Sequence, residues 1–290
     1  MYCGIIGNVL FPVWFFQGIQ KMRYITILNM SGRICTMLGI FLLVKSPDDY
    51  ILAAFLQSCT PLIAGIFSIV WLRKHYTGLF KLPPMGEIIN SYKEGWSIFV
   101  SSLAVNLYTA TNVVVLGMLT NNIIVGYYSA ADKLITCVRR GIYAVSDAIY
   151  PFISKMMRDD IPKGLQFIKK QLFLYLIVGL VGCTSLFFFS DTIVRLLFGA
   201  DYDLTVDVLR ILSFVPLAVA ISTVFGEETM LPLNMNSAYS RTLVLGAFFS
   251  LISIFPLCYL WGAKGVAITM LLTEFLIMSI MGGLLRKQLF

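Results

Sequence analysis

The chain has 290 residues, of which 58% are hydrophobic and only 13% are charged, and its mean hydropathy is +0.84. Soluble domains carry about 25% charged residues, so this composition excludes a soluble globular protein and predicts an integral membrane protein. The formal net charge of +7 comes from basic residues in short segments between apolar runs, so we expect no nucleic-acid partner.

The order of apolar runs predicts an all-α polytopic membrane bundle of about nine transmembrane helices. About 20 apolar residues cross a bilayer as a helix. Eight clear runs lie near residues 3–19, 24–44, 50–72, 96–118, 171–190, 205–225, 242–260 and 264–285. A ninth candidate near 129–153 is ambiguous because it contains five ionisable side chains.

The distribution of basic residues favours nine spans. With nine, fourteen lysines and arginines lie in loops on one side of the membrane and four on the other, whereas eight spans give nine against twelve. Only the first distribution fits the positive-inside rule, and it predicts an outside N-terminus and a cytoplasmic C-terminus. From that start we interpret the chain as a C-terminal portion of a longer protein, or one that begins at an internal methionine.

A long basic connection, "RKHYTGLFKLPPMGEIINSYKEGW", predicts the domain organisation. We expect a partial N-terminal lobe of three transmembrane helices at 1–75, a cytoplasmic amphipathic linker at 76–95 and a C-terminal lobe of six helices at 96–290. The stretch "MGEIINSYKEGWSIF" has apolar residues near helical spacing and predicts an interfacial helix that leads into a span.

The fourth span carries "NLYTATN", from Asn106 to Asn112. Its amides and hydroxyls either bind sugar hydroxyls or hold neighbouring helices together. In the second span, Arg33 is an ionisable residue within the membrane, which makes it a functional-site hypothesis.

The fifth span, 129–153, cannot face lipid on all sides. Five ionisable side chains at mid-bilayer cost roughly 12–17 kcal/mol, whereas the apolar residues return only about 2–5 kcal/mol. Helical spacing gives two adjoining polar stripes: Lys133, Arg140 and Asp147 form one, and Asp132, Thr136, Arg139 and Tyr143 form the other. These stripes are either a cationic wall of a water-filled cavity, suited to an anionic substrate, or internal ion pairs between packed helices.

Three acidic residues and Arg33 leave two roles open. Glu274 lies inside the ninth span and takes part either in ion coupling or in a structural pair, and Asp132, Asp147 and Arg33 have the same two alternatives. Glu227 and Glu228 follow the seventh span, where we expect them at the membrane interface.

Several classes of protein are disfavoured by what the sequence lacks. The only histidine, His75, lies in a basic segment, and the six cysteines have no metal-binding or disulfide spacing, so we expect no metal site. No phosphate-binding loop motif occurs, and we expect no cofactor. The predicted external loops are short and carry no acid/base pair, which favours a transporter over a membrane enzyme.

A motif near the N-terminus resembles a known family. "PVWFFQGIQKMRYITILN" is similar to the end of the fourth span and the start of the fifth in O-antigen and related polysaccharide flippases, of the multidrug/oligosaccharidyl-lipid/polysaccharide exporter superfamily. The matching positions are Pro12, Trp14, Phe15, Phe16, Gln17, Gly18, Lys21 and Met22. Looser similarities are "VGYYSAADKL", "AIYPFISKM", "FGADYD" and "GVAITMLLTEFL".

The resemblance implies a fold of twelve helices in two six-helix lobes around a central cavity, of which this chain resembles helices four to twelve and lacks the first three. The aromatic residues of the motif are then a belt at the cytoplasmic interface, and Lys21 holds the adjoining turn inside.

The resemblance also implies a function. Family members move undecaprenyl-diphosphate-linked O-antigen or polysaccharide repeat units across the bacterial inner membrane during polysaccharide and lipopolysaccharide biosynthesis. By this analogy Lys133, Arg139 and Arg140 contact the diphosphate, an ion gradient drives rocking of the lobes, and a polysaccharide polymerase and chain-length machinery are partners.

Three other interpretations stay open. A cation-coupled drug antiporter of the same fold predicts a mainly acidic cavity, whereas the fifth span holds three bases against two acids. An inactive truncated product is the second alternative. A membrane polysaccharide polymerase is the least favoured, because the external loops are short.

Overall fold

The computed structural model describes residues 2–19, 21–45, 49–75, 84–199 and 201–289. Within these ranges the side chains of Tyr2, Cys3, Gln17, Met22, Tyr50, Ala54, Glu94, Ser97 and residues 287–289 are not described. The described part is almost entirely helical, which confirms the all-α fold class.

The helices follow one another with short connections, and their bounds are as follows. They are α1 (Tyr2–Leu10), α2 (Val13–Gly18), α3 (Met22–Leu43), α4 (Tyr50–His75), α5 (Met85–Leu119), α6 (Asn122–Asp159), α7 (Ile161–Phe188), α8 (Ser190–Phe198), α9 (Asp203–Leu212), α10 (Val215–Phe225), a π-helix (Gly226–Met230), α11 (Asn236–Trp261) and α12 (Ala263–Leu289).

The chain divides into two compact units, Met1–Pro84 and Met85–Phe290. Residues 76–83, in the predicted linker, lie outside the described residues. On the other side of that gap, α5 is continuous from Met85 to Leu119, so its helix has no break at the expected boundary near residue 95. The division into two lobes and a linker stays a prediction.

In the first unit, α1 and α3 both pack against α4. Small and hydroxyl-bearing residues allow close packing between α3 and α4. Thr60 Oγ1 donates a hydrogen bond to Thr36 Oγ1 at 2.9 Å, and Thr36 Oγ1 in turn donates to the carbonyl of Gly32 at 2.9 Å.

The predicted span at 3–19 is interrupted, because the structure has two short helices there. The break falls at Phe11 and Pro12, between α1 and α2. Proline has no backbone N–H to continue the hydrogen-bond ladder, and its ring crowds the preceding turn.

In the second unit, α11 and α12 form a helical hairpin, and α5 packs along α11. The hairpin turns at Gly262, whose φ of +55° favours glycine. Three residues on, a Cβ at Gly265 would overlap the carbonyl of Leu257, so the two helices approach closely only because this residue is glycine.

Seven helical segments in the described part are long and apolar enough to cross a membrane. They are Arg23–Leu43, Ile51–His75, Ile98–Leu119, Ile161–Phe188, Asp203–Met230, Asn236–Trp261 and Ala263–Arg286. The other two predicted spans are also helical. The first, at 3–19, is short and broken, and the second, within α6, is too polar to count as an apolar membrane-crossing helix. The count of nine therefore stays a prediction, whereas the polytopic helical fold is confirmed.

Candidate functional site

The candidate site is built on α6, a helix of 38 residues with a strongly polar face. Its N-terminus is capped by Asn121, whose side chain accepts a hydrogen bond from the backbone N–H of Ile124 at 3.0 Å. The helix continues through Pro151 and ends at Asp159. A single long helix therefore carries all five ionisable residues of the predicted fifth span.

The two predicted stripes of α6 differ in burial. Lys133, Arg140 and Asp147 are exposed on the surface of their own unit. Asp132 and Arg139, from the adjoining stripe, are partly buried. The structure thus separates an exposed polar stripe from a second one that turns into the packed helices.

Arg139 is the least satisfied charged residue of the site. Its Nε and Nη1 atoms are buried and have no hydrogen-bond partner. Its charge interacts electrostatically with Asp132 and with Glu274 of α12. No carboxylate among the described residues, however, lies within the 4.0 Å of an ion pair with Arg139. Buried donors are normally paired, so these two N–H groups point to a missing acceptor.

Glu274 reaches the same region from α12 and is only 5% exposed. The hydroxyl of Tyr108, on α5, donates a hydrogen bond to Glu274 Oε1 at 2.9 Å. Tyr108 is itself buried, so this contact ties α5 to α12 inside the membrane-spanning part of the unit. Glu274 thereby provides a nearby negative charge for Arg139 without occupying its donors.

Asn112, one turn beyond Tyr108 on α5, is 1% exposed, and its Oδ1 atom has no hydrogen-bond donor. It faces Tyr128 of α6, whose hydroxyl donates a long contact of 3.9 Å to the sulfur of Met270. The predicted residues Asn112, Arg139 and Glu274 therefore line one buried polar region between α5, α6 and α12.

Other predicted site residues lie elsewhere. Asn106 is exposed, and its Nδ2 atom donates to the carbonyl of Ser102 in its own helix at 2.8 Å, so it is not part of the buried region. Arg33 is exposed on α3 in the first unit. The roles of both residues stay predictions.

The aromatic motif near the N-terminus is only partly the predicted belt. Trp14 is 73% exposed, as a lipid-facing anchor requires, but Phe16 is fully buried and packs against Trp71 with ring centroids 5.4 Å apart. Phe16 is therefore a core residue of the first unit, packed against Trp71 of α4, and the belt interpretation stays a prediction.

The rest of the motif surrounds the same aromatic cluster. Phe15 is partly buried and contacts Phe16 edge-to-face, and Gly18 ends α2. Lys21 is exposed, with its ammonium group 5.7 Å from the centre of the Trp71 ring. The side chain of Gln17 and the whole of Gln20 lie outside the described residues.

Sequence reasoning missed Tyr108 and misplaced Glu228. Tyr108 lies within the "NLYTATN" stretch, where only the amides were chosen as candidates. Glu228 was expected at the membrane interface, but it is fully buried. No pattern in the sequence places it there, because its hydrogen-bond donors Ser146 and Gln171 lie on other helices, far away in the chain.

Comparison with known proteins finds one matching family model and two similar proteins that carry the same name. Residues 1–157 match the family model described as "Polysaccharide biosynthesis protein". The "Putative O-antigen transporter" of Escherichia coli (strain K12) is 31% identical over 285 residues, covering 98% of this chain and 68% of that protein. The protein of the same name from Shigella dysenteriae is 31% identical over 277 residues, covering 96% and 69%.

A more distant relative comes from an archaeon. The "Probable low-salt glycan biosynthesis flippase Agl15" of Haloferax volcanii is 24% identical over 243 residues, which covers 83% of this chain and 50% of that protein. No solved structure matches the chain significantly. Together with the seven apolar helices, these relatives identify a multi-pass membrane protein.

Proposed function

Because the chain belongs to the polysaccharide biosynthesis protein family, we propose that it is a flippase for a lipid-linked oligosaccharide. The carrier is undecaprenyl diphosphate, the membrane is the bacterial inner membrane, and the C-terminus is cytoplasmic. The protein acts as a transporter and not as an enzyme, as the names of its relatives suggest. A polysaccharide polymerase and chain-length machinery are the expected partners.

The observation that carries this proposal is the unmet hydrogen-bonding capacity of Arg139. A guanidinium presents a fixed fork of donors that matches phosphate oxygens, and such charge-assisted bonds are the strong ones. With Nε and Nη1 buried and unpaired, the site is ready for an oxyanion. A diphosphate supplies that oxyanion, while its lipid tail stays in the bilayer.

Neighbouring residues complete the proposed site. Lys133 and Arg140 form an exposed cationic stripe beside Arg139, which attracts the diphosphate before it reaches the buried donors. The free Oδ1 of Asn112 accepts a hydrogen bond from a sugar hydroxyl. When no substrate is bound, the negative charge of Glu274, which Tyr108 holds in place, lowers the free-energy cost of burying the Arg139 guanidinium.

Complementation of an O-antigen flippase null strain tests this function. We expect the unaltered chain to restore surface polysaccharide, and Arg139→Met to reduce it roughly 10- to 100-fold at equal protein level, because charged hydrogen bonds to the transported group are lost. Arg158→Met, an exposed arginine on the same helix, is the matched control and leaves transport unchanged.

Two results contradict the proposal separately. Failure of the unaltered chain to restore surface polysaccharide contradicts flippase activity. Full activity of Arg139→Met removes the arginine from substrate binding and leaves only the family relationship in support.

A further inference from the structure

One end of the first unit carries a cluster of basic side chains. Lys21 and Arg23 lie where α3 begins, and Arg73 and Lys74 lie in the last turn of α4. All four side chains are exposed on the surface of their unit. Because α3 and α4 both contain segments that are apolar enough to cross a membrane, residues at these helix ends lie at the boundary between hydrocarbon and water.

Aromatic rings bring the basic residues of the two helices together. Tyr24 of α3 contacts Trp71 of α4 with ring centroids 4.5 Å apart, so the start of one helix meets the end of the other. The ammonium group of Lys21 lies 5.7 Å from the centre of the Trp71 ring, and the guanidinium of Arg23 lies 5.8 Å from that of Tyr24. The basic residues of both helices therefore surround one aromatic pair.

Positive charge is concentrated at this end of the first unit. Between residues 1 and 84 the acidic residues are confined to positions 48 and 49. Asp49 comes directly before α4, whereas the basic cluster lies at the far end of that helix, about 36 Å away at 1.5 Å per residue. The unit is therefore polarised, and the end that carries the cluster attracts anions.

An apolar cleft lies beside the cluster and has a volume of about 260 Å³. Its walls come from α1, α2, the break between them and α4, and the lining residues are Val9, Leu10, Pro12, Trp14, Phe15, Ile69 and Leu72. Arg73 follows Leu72 directly and lies four residues beyond Ile69, so it is on the same face of α4 as the lining residues. The cleft thus leads toward the basic end of the unit.

We propose that the cleft and the basic cluster together bind one anionic phospholipid of the surrounding bilayer. Arg73, Lys21 and Arg23 contact the phosphate of the headgroup, and an acyl chain lies in the cleft. Basic pockets between transmembrane helices bind anionic headgroups in this way. Trp14, which lines the cleft and is 73% exposed, is suited to the interface between the headgroup and the chain.

The chemistry of the cleft favours a phospholipid over other occupants. None of its seven lining side chains carries a hydroxyl, carboxamide or carboxylate group that could bind sugar hydroxyls, which disfavours a lipid that carries an oligosaccharide. A peptide segment would bring backbone N–H and C=O groups that need partners in an apolar site. A phospholipid needs only apolar walls and positive charge, and this site does not rest on the proposed function.

Lipid binding to the purified chain in detergent micelles tests the site. Native mass spectrometry follows the one-to-one complex during titration with phosphatidylglycerol or with phosphatidylcholine of the same acyl chains. We expect the unaltered chain to bind phosphatidylglycerol at least roughly 10-fold more tightly. In Arg23→Gln/Arg73→Gln the affinity for phosphatidylglycerol should fall roughly 10- to 30-fold, while that for phosphatidylcholine stays the same.

Matched variants separate this site from a general effect of charge. Lys169→Gln/Lys170→Gln removes the same charge from exposed positions of α7 in the second unit and should keep the affinity of the unaltered chain. Val9→Trp places a larger side chain at the cleft and leaves the basic cluster intact, so it should weaken binding. Val9 is 78% exposed, and Val70→Trp, at a 61% exposed position of α4 outside the cleft, is its control.

Three results overturn the proposal. The first is equal affinity of the unaltered chain for the two lipids. The second is an equal loss of affinity in the α7 double variant and in Arg23→Gln/Arg73→Gln, which would show a response to net charge alone. The third is unchanged affinity in Val9→Trp. Since no transported substrate is present, each of these results leaves the flippase proposal standing, and loss of transport in Arg139→Met does not affect the lipid measurement.

Discussion

Two buried polar clusters lie on one face of α6, and their hydrogen-bonding imbalances are opposite. Around Arg139 the donors exceed the acceptors, since Nε and Nη1 have no partner. Around Glu228 the acceptors exceed the donors, since Glu227 and Glu228 are adjacent carboxylates and no lysine or arginine of the described residues lies within 4.0 Å of either. In a protein whose surroundings are hydrocarbon, such imbalances are costly, and a bound ligand would relieve them.

The two buried glutamates, Glu228 and Glu274, are stabilised in different ways. Glu228 has two short hydrogen bonds from neutral side chains and no base nearby. Glu274 has one hydrogen bond from Tyr108 and the longer-range influence of Arg139. Hydrogen bonds thus stabilise the first carboxylate, whereas charge contributes more to the second. The following three substitutions separate these contributions by their effect on the free energy of unfolding.

The largest effect is expected for Gln171→Leu. The change keeps the approximate volume but leaves Glu228 Oε2 buried without a donor, which costs about 1.5–3 kcal/mol. Unfolding of the purified protein in detergent micelles measures this loss. Gln166→Leu, an exposed position on the same helix, is the control. An equal effect of the two changes would show that the Gln171–Glu228 contact adds no stability.

The same contact shows where prediction from sequence succeeded and where it could not. The polar face of α6 follows from residue spacing alone, because helical period fixes which side chains are neighbours. The partners of Glu228 could not be predicted, since Ser146 and Gln171 lie 82 and 57 residues away in the chain. Hydropathy also ended the seventh span at residue 225, whereas the π-helix continues it to Met230.

An intermediate effect is expected for Tyr108→Phe. Loss of the hydroxyl removes the 2.9 Å hydrogen bond to Glu274, but the charge of Arg139 remains nearby and compensates in part. The free energy of unfolding should fall by about 1–2 kcal/mol. Tyr259→Phe, at an 81% exposed position of α11, provides the baseline for losing a tyrosine hydroxyl. A loss as large as that of Gln171→Leu would mean that Arg139 gives Glu274 no support.

The smallest effect on the free energy of unfolding is expected for Arg139→Met, although the same change should reduce transport. Methionine fills a similar space without burying unpaired donors, which favours the folded state, while Glu274 loses its nearby positive charge, which opposes it. The two contributions nearly cancel, so the free energy of unfolding should change by less than about 1 kcal/mol.

A residue whose removal leaves stability intact but stops transport is one whose interactions are made with a ligand and not with the protein. Measurement of unfolding beside the complementation assay decides this for Arg139. A destabilisation equal to that of Gln171→Leu would instead show that Arg139 acts mainly within the protein, through its electrostatic support of Glu274 or through hydrogen bonds made inside the fold. The contrast between the two clusters would then be one of position only, and the oxyanion site would have to lie on the exposed stripe of Lys133 and Arg140.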